Sequence, residues 1–302
     1  MKYEHIDLTG FENLSGLRTT IRIIFLVLLS IWTNALLAAD KPLSPTLMLK
    51  GIEFVLVPAS VFEMGSTKEE AFAAFKDANL RSAMLEDHVF IAEGPKHTIY
   101  LDAYYISKYE LTNAQYRAFV NETKRKPPID PDTKQSLWET PDFSHPDKPV
   151  VSVNWFDAVA FCKWLGAELP TEAQWEKAAR GPGRQKYPWG SAFPSRKMAA
   201  FSKYVPSPCR IGSYPKNVSP YGAMDMAGNV FEWCRDEYDA GFYRRSPDEN
   251  PMNAGRLSRT SERSIRGGAY DYGTPFLRSA LRMRLPAHVS FRNLGFRVVY
   301  TP

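Results

Sequence analysis

From Gly181 to the C-terminal Pro302 the chain offers no stretch in which apolar residues recur at helical spacing between a cap and a stop. That part of the chain has to fold as turns and short strands, and irregular backbone of this kind needs side chains to pin it. The pins are present: 15 Tyr, 18 Phe and 7 Trp accompany 23 Pro and 18 Gly. Tyr187, Trp189, Trp233 and Tyr270 are placed to staple the region. A helical bundle is not expected from such a composition, which points instead to a loop-rich fold pinned by aromatic side chains. At 302 residues and 44% hydrophobic content the chain can bury a large core, which argues against disorder.

The excess of 38 Lys and Arg over 33 Asp and Glu gives a net charge of +5, without a long basic run of the kind that neutralises a phosphate backbone. No nucleic-acid partner is expected. At the N-terminus Arg18 and Arg22 precede the apolar run Ile23–Leu29, which continues through Ile31 and Trp32 to Ala38-Ala39. Basic flank, apolar core and small-residue exit are the order of a secretory signal, so residues 1–39 are expected to be removed near Ala39 and the protein to be periplasmic or secreted. The alternative is an anchor in the inner membrane through residues 21–39, because the run approaches the roughly 20 residues that span a bilayer. Residues 1–17, with Glu4, Asp7 and Glu12, are long and acidic for a signal's leading region.

Export implies an oxidising compartment, in which Cys162, Cys209 and Cys234 could form one disulfide and leave one thiol. Cys162 shares a helical face with Phe161 and Leu165 and reads as a small buried hydrophobe, which leaves Cys209–Cys234 as the remaining pair. These two lack Cys-x-x-Cys spacing, so a structural bridge is the reading for them rather than redox chemistry.

Residues 40–50 read as a Pro-containing linker and 51–302 as one domain. Phe54–Pro58 is a short strand ended by proline, with Val61–Gly65 as its returning partner. Residues 67–93 predict a surface helix or inserted loop with no chemistry. Thr98–Leu101 and Tyr104–Ile106 alternate like strands, and Thr112 caps a helix over Asn113–Glu122 that buries Tyr116, Phe119 and Val120. A Pro-rich loop, Pro127–Pro149, follows. Asn154 caps the next helix, which Gly166 stops, and Thr171-Glu172-Ala173-Gln174 forms a capping box for a helix closed by Gly181.

The order of motifs resembles the formylglycine-generating enzyme, or sulfatase-modifying-factor, family along nearly the whole of 51–302. The segments are Phe54–Ala59, Met64–Ser66, Tyr109–Tyr116, Pro149–Trp155, and the most specific block Leu169–Gly181. They continue with Tyr187–Gly190, Met226–Trp233, Ile265–Tyr270, Leu277–Ala280 and Leu294–Arg297. The resemblance implies a compact α+β fold related to C-type lectins. It also implies two cysteines after the Arg-Gly-Gly motif that bind copper and activate oxygen to convert a substrate cysteine into formylglycine. Laid on this sequence, those two positions fall on Tyr272 and Leu277, and a nearby serine position falls on Ala269. Soft thiolates select Cu(I), which neither replacement can do, so copper and formylglycine generation are not expected.

Relatives that use non-haem iron draw histidines from an extra helical domain. Here His5, His88, His97, His145 and His288 show neither His-x-x-x-His nor a two-histidine-plus-carboxylate spacing. Calcium is a better expectation, since the family's calcium loop maps onto Asp225, Gly228, Val230 and Glu232, with a tight turn lacking metal as the alternative. The second calcium loop is absent, because Ala199-Ala200-Phe201 lacks its asparagine.

Two functions follow. One is a binding or assembly module for a peptide, glycan or envelope protein, in contact with membrane only through an uncleaved N-terminus. The other is a different oxidative or maturation enzyme, as with cysteine-lacking exported relatives that act on chromophores of secreted siderophores. For it, Ala269, Asp271, Tyr272, Leu277 and Arg282 mark an altered active-site groove, with Asp271 as a general base and Tyr272 as a hydrogen-bond donor or radical site. A solvated turn is the plain alternative for these residues. Arg244, Arg245, Arg256, Arg259, Arg263 and Arg266 could attract an acidic ligand or simply form a solvated loop.

Overall fold

The computed structural model describes residues 43–77 and 91–302. The signal or anchor segment and His88 lie outside the described residues. No helix among the described residues is long and apolar enough to cross a membrane.

The Thr171 capping box forms as the sequence predicts. Thr171 Oγ1 accepts the Gln174 N–H at 3.1 Å, and Gln174 Oε1 accepts the Thr171 N–H at 2.9 Å, opening helix α4, Glu172–Arg180. Among the described residues three further helices precede it: α1 at Lys68–Asp77, α2 at Asn113–Thr123 and α3 at Trp155–Leu165. Helix α2 is capped by Thr112, and α3 starts on Asn154 and stops at Gly166 in the left-handed conformation. Tyr116 and Phe119 of α2 meet Phe161 of α3, with ring centroids 5.7 and 5.4 Å apart, and this aromatic contact forms the middle of the largest apolar cluster.

The strands make three small sheets. The first has the order β1-β2-β5-β10, from Thr46–Leu49, Ile52–Val57, Tyr104–Ser107 and Val299–Tyr300. The second pairs β3, Ser60–Met64, with β4, His97–Leu101. The third has the order β8-β7-β6-β9, from Met283–Pro286, Glu262–Arg266, Phe231–Glu237 and Leu294–Gly295. Beyond Gly181 only short 3-10 turns interrupt loops and strands, and residues Pro45–Pro302 form one compact unit.

Three expectations are corrected. Thr46–Leu49 is not linker but an edge strand, joined to β2 by a two-residue turn in which Lys50 and Gly51 both take positive φ, 44° and 77°. Leu47 and Leu49 give it a half-buried apolar side against the core. Strand β3 does not return along β2 but pairs with β4. Pro58 has no N–H to donate to a ladder, and the carbonyls of Pro58 and Ser60 are taken by Lys177 Nζ of α4 at 2.8 and 3.0 Å, which turns the chain out of the first sheet. The three cysteines are all free. Cys234 is buried on β6 among apolar side chains, whereas Cys209 sits in a loop with its Sγ 3.7 Å from the Tyr214 hydroxyl.

Helix α4 is where the sheets are tied together. Glu172 is buried and accepts hydrogen bonds from Arg282 Nε at 2.6 Å, Arg282 Nη2 at 2.8 Å and Arg266 Nη2 at 2.8 Å, and also from Ser264. One turn on, Glu176 accepts from Arg266 Nη1 at 3.1 Å, Arg180 Nη1 at 2.8 Å and the Gly65 N–H at 2.7 Å. The arginines, foremost Arg282, hold the Glu172 carboxyl down at about 2 despite its burial. Asp236 lies beside this network, accepting the N–H groups of Glu172 and Asn253, each at 2.9 Å. Burial first, and repulsion from Glu172 second, push its carboxyl up to about 7.

Losing one member of such a pair strands a buried charge, so Glu172→Gln should cost about 3–5 kcal/mol in urea unfolding, against about 1 kcal/mol for Thr171→Ala at the cap. Asp236 has a folded pKa raised above its unfolded one. Its stabilising contribution is therefore complete below pH about 4 and lost as pH rises through about 7, with a slope of at most about 1.4 kcal/mol per pH unit. Urea titrations between these limits should show stability falling more steeply with pH in the wild type than in Asp236→Asn, where the raised Asp225 and Glu110 carboxyls still titrate.

Candidate functional site

Three loops meet where the sequence places the altered groove. Gly228 N–H donates to Gly267 O at 2.7 Å, Asn229 N–H to Ala200 O at 3.0 Å and Tyr270 N–H to Asn229 O at 2.9 Å. Ser202 N–H donates to Tyr272 O at 2.7 Å and Lys203 N–H to Tyr270 O at 2.8 Å, so residues 199–203, 228–229 and 267–272 are laced by backbone. The close approach requires glycine at two points. A Cβ on Gly228, at φ 85°, would lie 2.3 Å from Ala200 O, and one on Gly268, at φ 76°, would lie 2.7 Å from Phe276 O.

A 3-10 turn, Thr274–Leu277, closes the groove segment. Leu277 is fully buried, its Cδ2 set against Gly228 and Gly268, in an apolar cluster with Tyr187, Ala199, Phe201 and Ala227. Ala269 is equally buried, so both form the floor rather than a lining. Tyr272 is half-buried and stands edge-on to Phe231 and Phe276, with centroids 4.8 and 4.9 Å away, and burial raises its phenol pKa. Asp271 is held by Asn293 Nδ2 at 3.0 and 3.1 Å. Arg282, expected in this groove, is instead consumed by Glu172 and by the Ala92 carbonyl at 3.0 Å. Its guanidinium is under α4 because two buried carboxylates there require cations. Arg266 is likewise buried rather than part of a solvated loop.

None of the thiols enters this segment. Cys162 is in α3 and Cys234 in β6, both buried, with burial raising their pKa. Cys209 donates its backbone N–H to Asn229 Oδ1 at 2.8 Å, and burial raises its thiol pKa as well. A thiol kept protonated is a poor metal ligand.

The calcium residues lie in the same neighbourhood. Asp225 and Asn229 take left-handed φ of 59° and 64°, a conformation that Asp and Asn tolerate. Asp225 Oδ2 accepts the Gly212 N–H at 2.6 Å. Glu232 gives its carboxylate to Arg297, at 2.6 and 2.8 Å, and to Trp175 Nε1 at 2.7 Å, so it can enter a cation site only by sharing those oxygens. Two groups were missed in the sequence. Glu110, buried, lies against Asn229 Nδ2 at 3.2 Å. Asn217 Oδ1 is buried without a partner, while Asn217 binds both ends of the loop through Asp225 N–H and Ala227 O. Neither carries a local motif; both are brought in by the fold.

Glu110, Asp225 and Glu232 thus face one buried cation, Arg297. Burial, then Asp225 and Glu232, hold the Glu110 carboxyl well above the usual carboxylate range. Burial also pushes Asp225 up to about 6. The surplus negative charge can be neutralised by protons or by a hard cation, and the orphaned Asn217 oxygen suits the latter. Among the described residues no three His, Cys, Asp or Glu side chains are grouped to hold a metal unaided, so main-chain oxygens would have to contribute. His97 is structural: its Nδ1 lies 2.9 Å from Pro95 O and its Nε2 3.2 Å from Ser246 Oγ.

A sequence profile of the sulfatase-modifying factor enzyme 1-like domain matches residues 42–302. A formylglycine-generating enzyme of Streptomyces coelicolor is 31% identical over 260 residues, covering 68% of this chain and 80% of the relative. A hercynine oxygenase of Mycolicibacterium thermoresistibile is 32% identical over 231 residues, covering 65% of this chain and 50% of the relative. The chain thus spans about half the length of the hercynine oxygenases it matches. The structure of PvdO from Pseudomonas aeruginosa superposes with a TM-score of 0.65 at 24% identity, over 82% of this chain and 94% of PvdO, which speaks for the fold alone.

Proposed function

The chain belongs to the sulfatase-modifying factor enzyme 1-like domain family, and we propose that it is a binding and maturation module of the cell envelope that does not generate formylglycine. The observation that carries the reading is Leu277. The resemblance lays the family's second copper thiolate on this residue, and its side chain is fully buried in the cluster of Tyr187, Ala199, Phe201 and Ala227. The same resemblance lays the first on Tyr272, which stands edge-on to the rings of Phe231 and Phe276. A hydrocarbon floor and a phenol kept neutral by burial offer no soft ligand for Cu(I). What remains is a backbone-laced groove in which the half-exposed Asp271 and Tyr272 meet a peptide, glycan or envelope protein. The exported location, periplasmic or secreted with anchoring through residues 21–39 as the second possibility, rests on the Arg18, Arg22 and Ala38-Ala39 pattern.

Calcium belongs to this proposal as a structural ion. Asp225, the main-chain oxygens of Gly228 and Val230, the free Asn217 Oδ1 and a shared Glu232 oxygen would hold it. It would supply the positive charge that Glu110, Asp225 and Glu232 lack, fixing the loop that supports Tyr270. A second reading, an oxidative maturation enzyme, is favoured by the hercynine oxygenases among the relatives.

Titrating the full chain with Cu(I) against a competing chelator tests the first reading. The wild type should take up no stoichiometric copper, and the double variant Tyr272→Cys, Leu277→Cys should gain it; copper held tightly by the wild type sinks the proposal. Calcium at about 100 times its Kd should stabilise the wild type against unfolding by about 2.7 kcal/mol. Asp225→Ala should abolish that gain, and an equal gain in the variant would remove Asp225 from the site.

A further inference from the structure

Between Glu176 and Asp225 the sequence contains no Asp or Glu, although Lys and Arg recur throughout. Most of these cations fall into two groups. Lys177 and Arg180 are buried on α4, and Arg184 pairs with Glu63 at 2.8 Å. Arg196, Lys197, Lys203 and Arg210 are exposed, and no carboxylate pairs with any of them among the described residues. The net charge therefore has an unopposed portion in this stretch, although no long basic run is present.

The same stretch carries exposed aromatic surface. Phe193 is 62% and Tyr204 46% exposed. The Arg196 guanidinium carbon stacks 3.8 Å over the Tyr204 ring, which in turn stands edge-on to buried Phe201 at 5.1 Å. A guanidinium held flat on a ring keeps its N–H edge free for a carboxylate. The stretch is laced to the Tyr270–Tyr272 turn: Ser202 and Lys203, both at left-handed φ (52° and 56°), donate their N–H groups to the Tyr272 and Tyr270 carbonyls. Phe201 and Leu277 share one apolar cluster.

We infer that the Arg196, Lys197 and Lys203 surface docks an acidic, aromatic-containing segment of a partner protein and leads it to the Tyr270–Tyr272 turn. This rests on reading the groove as a binding site. Unpaired cations beside rings attract carboxylates and raise the rate of encounter, while the rings supply contact area at low entropic cost. Asp271, in the turn, favours a peptide over a continuous polyanion. A phosphodiester backbone or an anionic lipid surface would bring negative charge against that carboxylate, whereas a peptide carries its acids only where the cations are.

The test uses the full chain and fluorescence anisotropy with a short labelled peptide of Glu and Tyr, against a Gln and Tyr version of equal length. The Glu peptide should bind more tightly than the Gln peptide, and its binding should weaken with added salt. Arg196→Glu, Lys197→Glu and Lys203→Glu together should weaken it by at least about tenfold while thermal unfolding is unchanged. If the triple variant is unstable, Arg196→Gln alone should still weaken binding about two- to threefold. Equal affinity for the two peptides, wild-type affinity in the variants, or tighter binding to phosphatidylglycerol vesicles or to a single-stranded oligonucleotide would overturn the inference. Copper uptake by a chain that still binds the Glu peptide would remove the proposed function and leave this surface standing.

Discussion

The burial of Glu172 and Glu176 one turn apart on α4 is the constraint around which the other elements are arranged. Carboxylates out of water are tolerated only with cations and N–H groups at hand, and here these come from β7, from the chain after the 3-10 turn and from the corner after β3. Arg266, Arg282 and the Gly65 N–H are far apart in sequence. The helix therefore works as a hub whose charges select one arrangement of otherwise irregular segments. Lys177 adds a fourth tie, to the carbonyls of Pro58, Ser60 and Leu101.

The hub reaches the functional loops through Trp175. Its indole N–H meets Glu232, Glu232 meets Arg297, and Arg297 donates to the carbonyls of Ser107 and Met224. The loop from Asp225 to Asn229 begins one residue after Met224. Asn229 and Gly228 in turn carry Tyr270 and Gly267 by backbone hydrogen bonds. The position of the groove thus depends on a chain of buried polar contacts that starts at α4, with glycine at Gly228 and Gly268 allowing the loops to touch.

Local signals in the sequence were legible. The caps at Thr112, Asn154 and Thr171, the stops at Gly166 and Gly181, and the turn-rich second half all lie where short-range chemistry puts them. Partners decided at long range were not. Lys50-Gly51 is a hairpin turn without the usual Asn or Asp, so β1 looked like linker. Strand β3 followed β2 in sequence but found β4, because nothing local announces that Lys177 occupies the corner. Arg282 looked like a groove residue by its place after the Arg-Gly-Gly motif, yet Glu172 claims it. Glu110 and Asn217 carry no motif and become interesting only beside Asp225.

The site that results has two features: a floor of Leu277 and Ala269 without thiols, and the buried carboxylates Glu110, Asp225 and Glu232 gathered on Arg297. The first disfavours soft metal ions and the second favours a hard one. The most direct measurement is the metal content, by mass spectrometry, of the full chain purified from an exporting host and dialysed without chelator. Calcium at about one per chain, with neither copper nor iron, is the predicted result. Copper or iron at about one per chain would contradict the account and favour the oxidative reading instead.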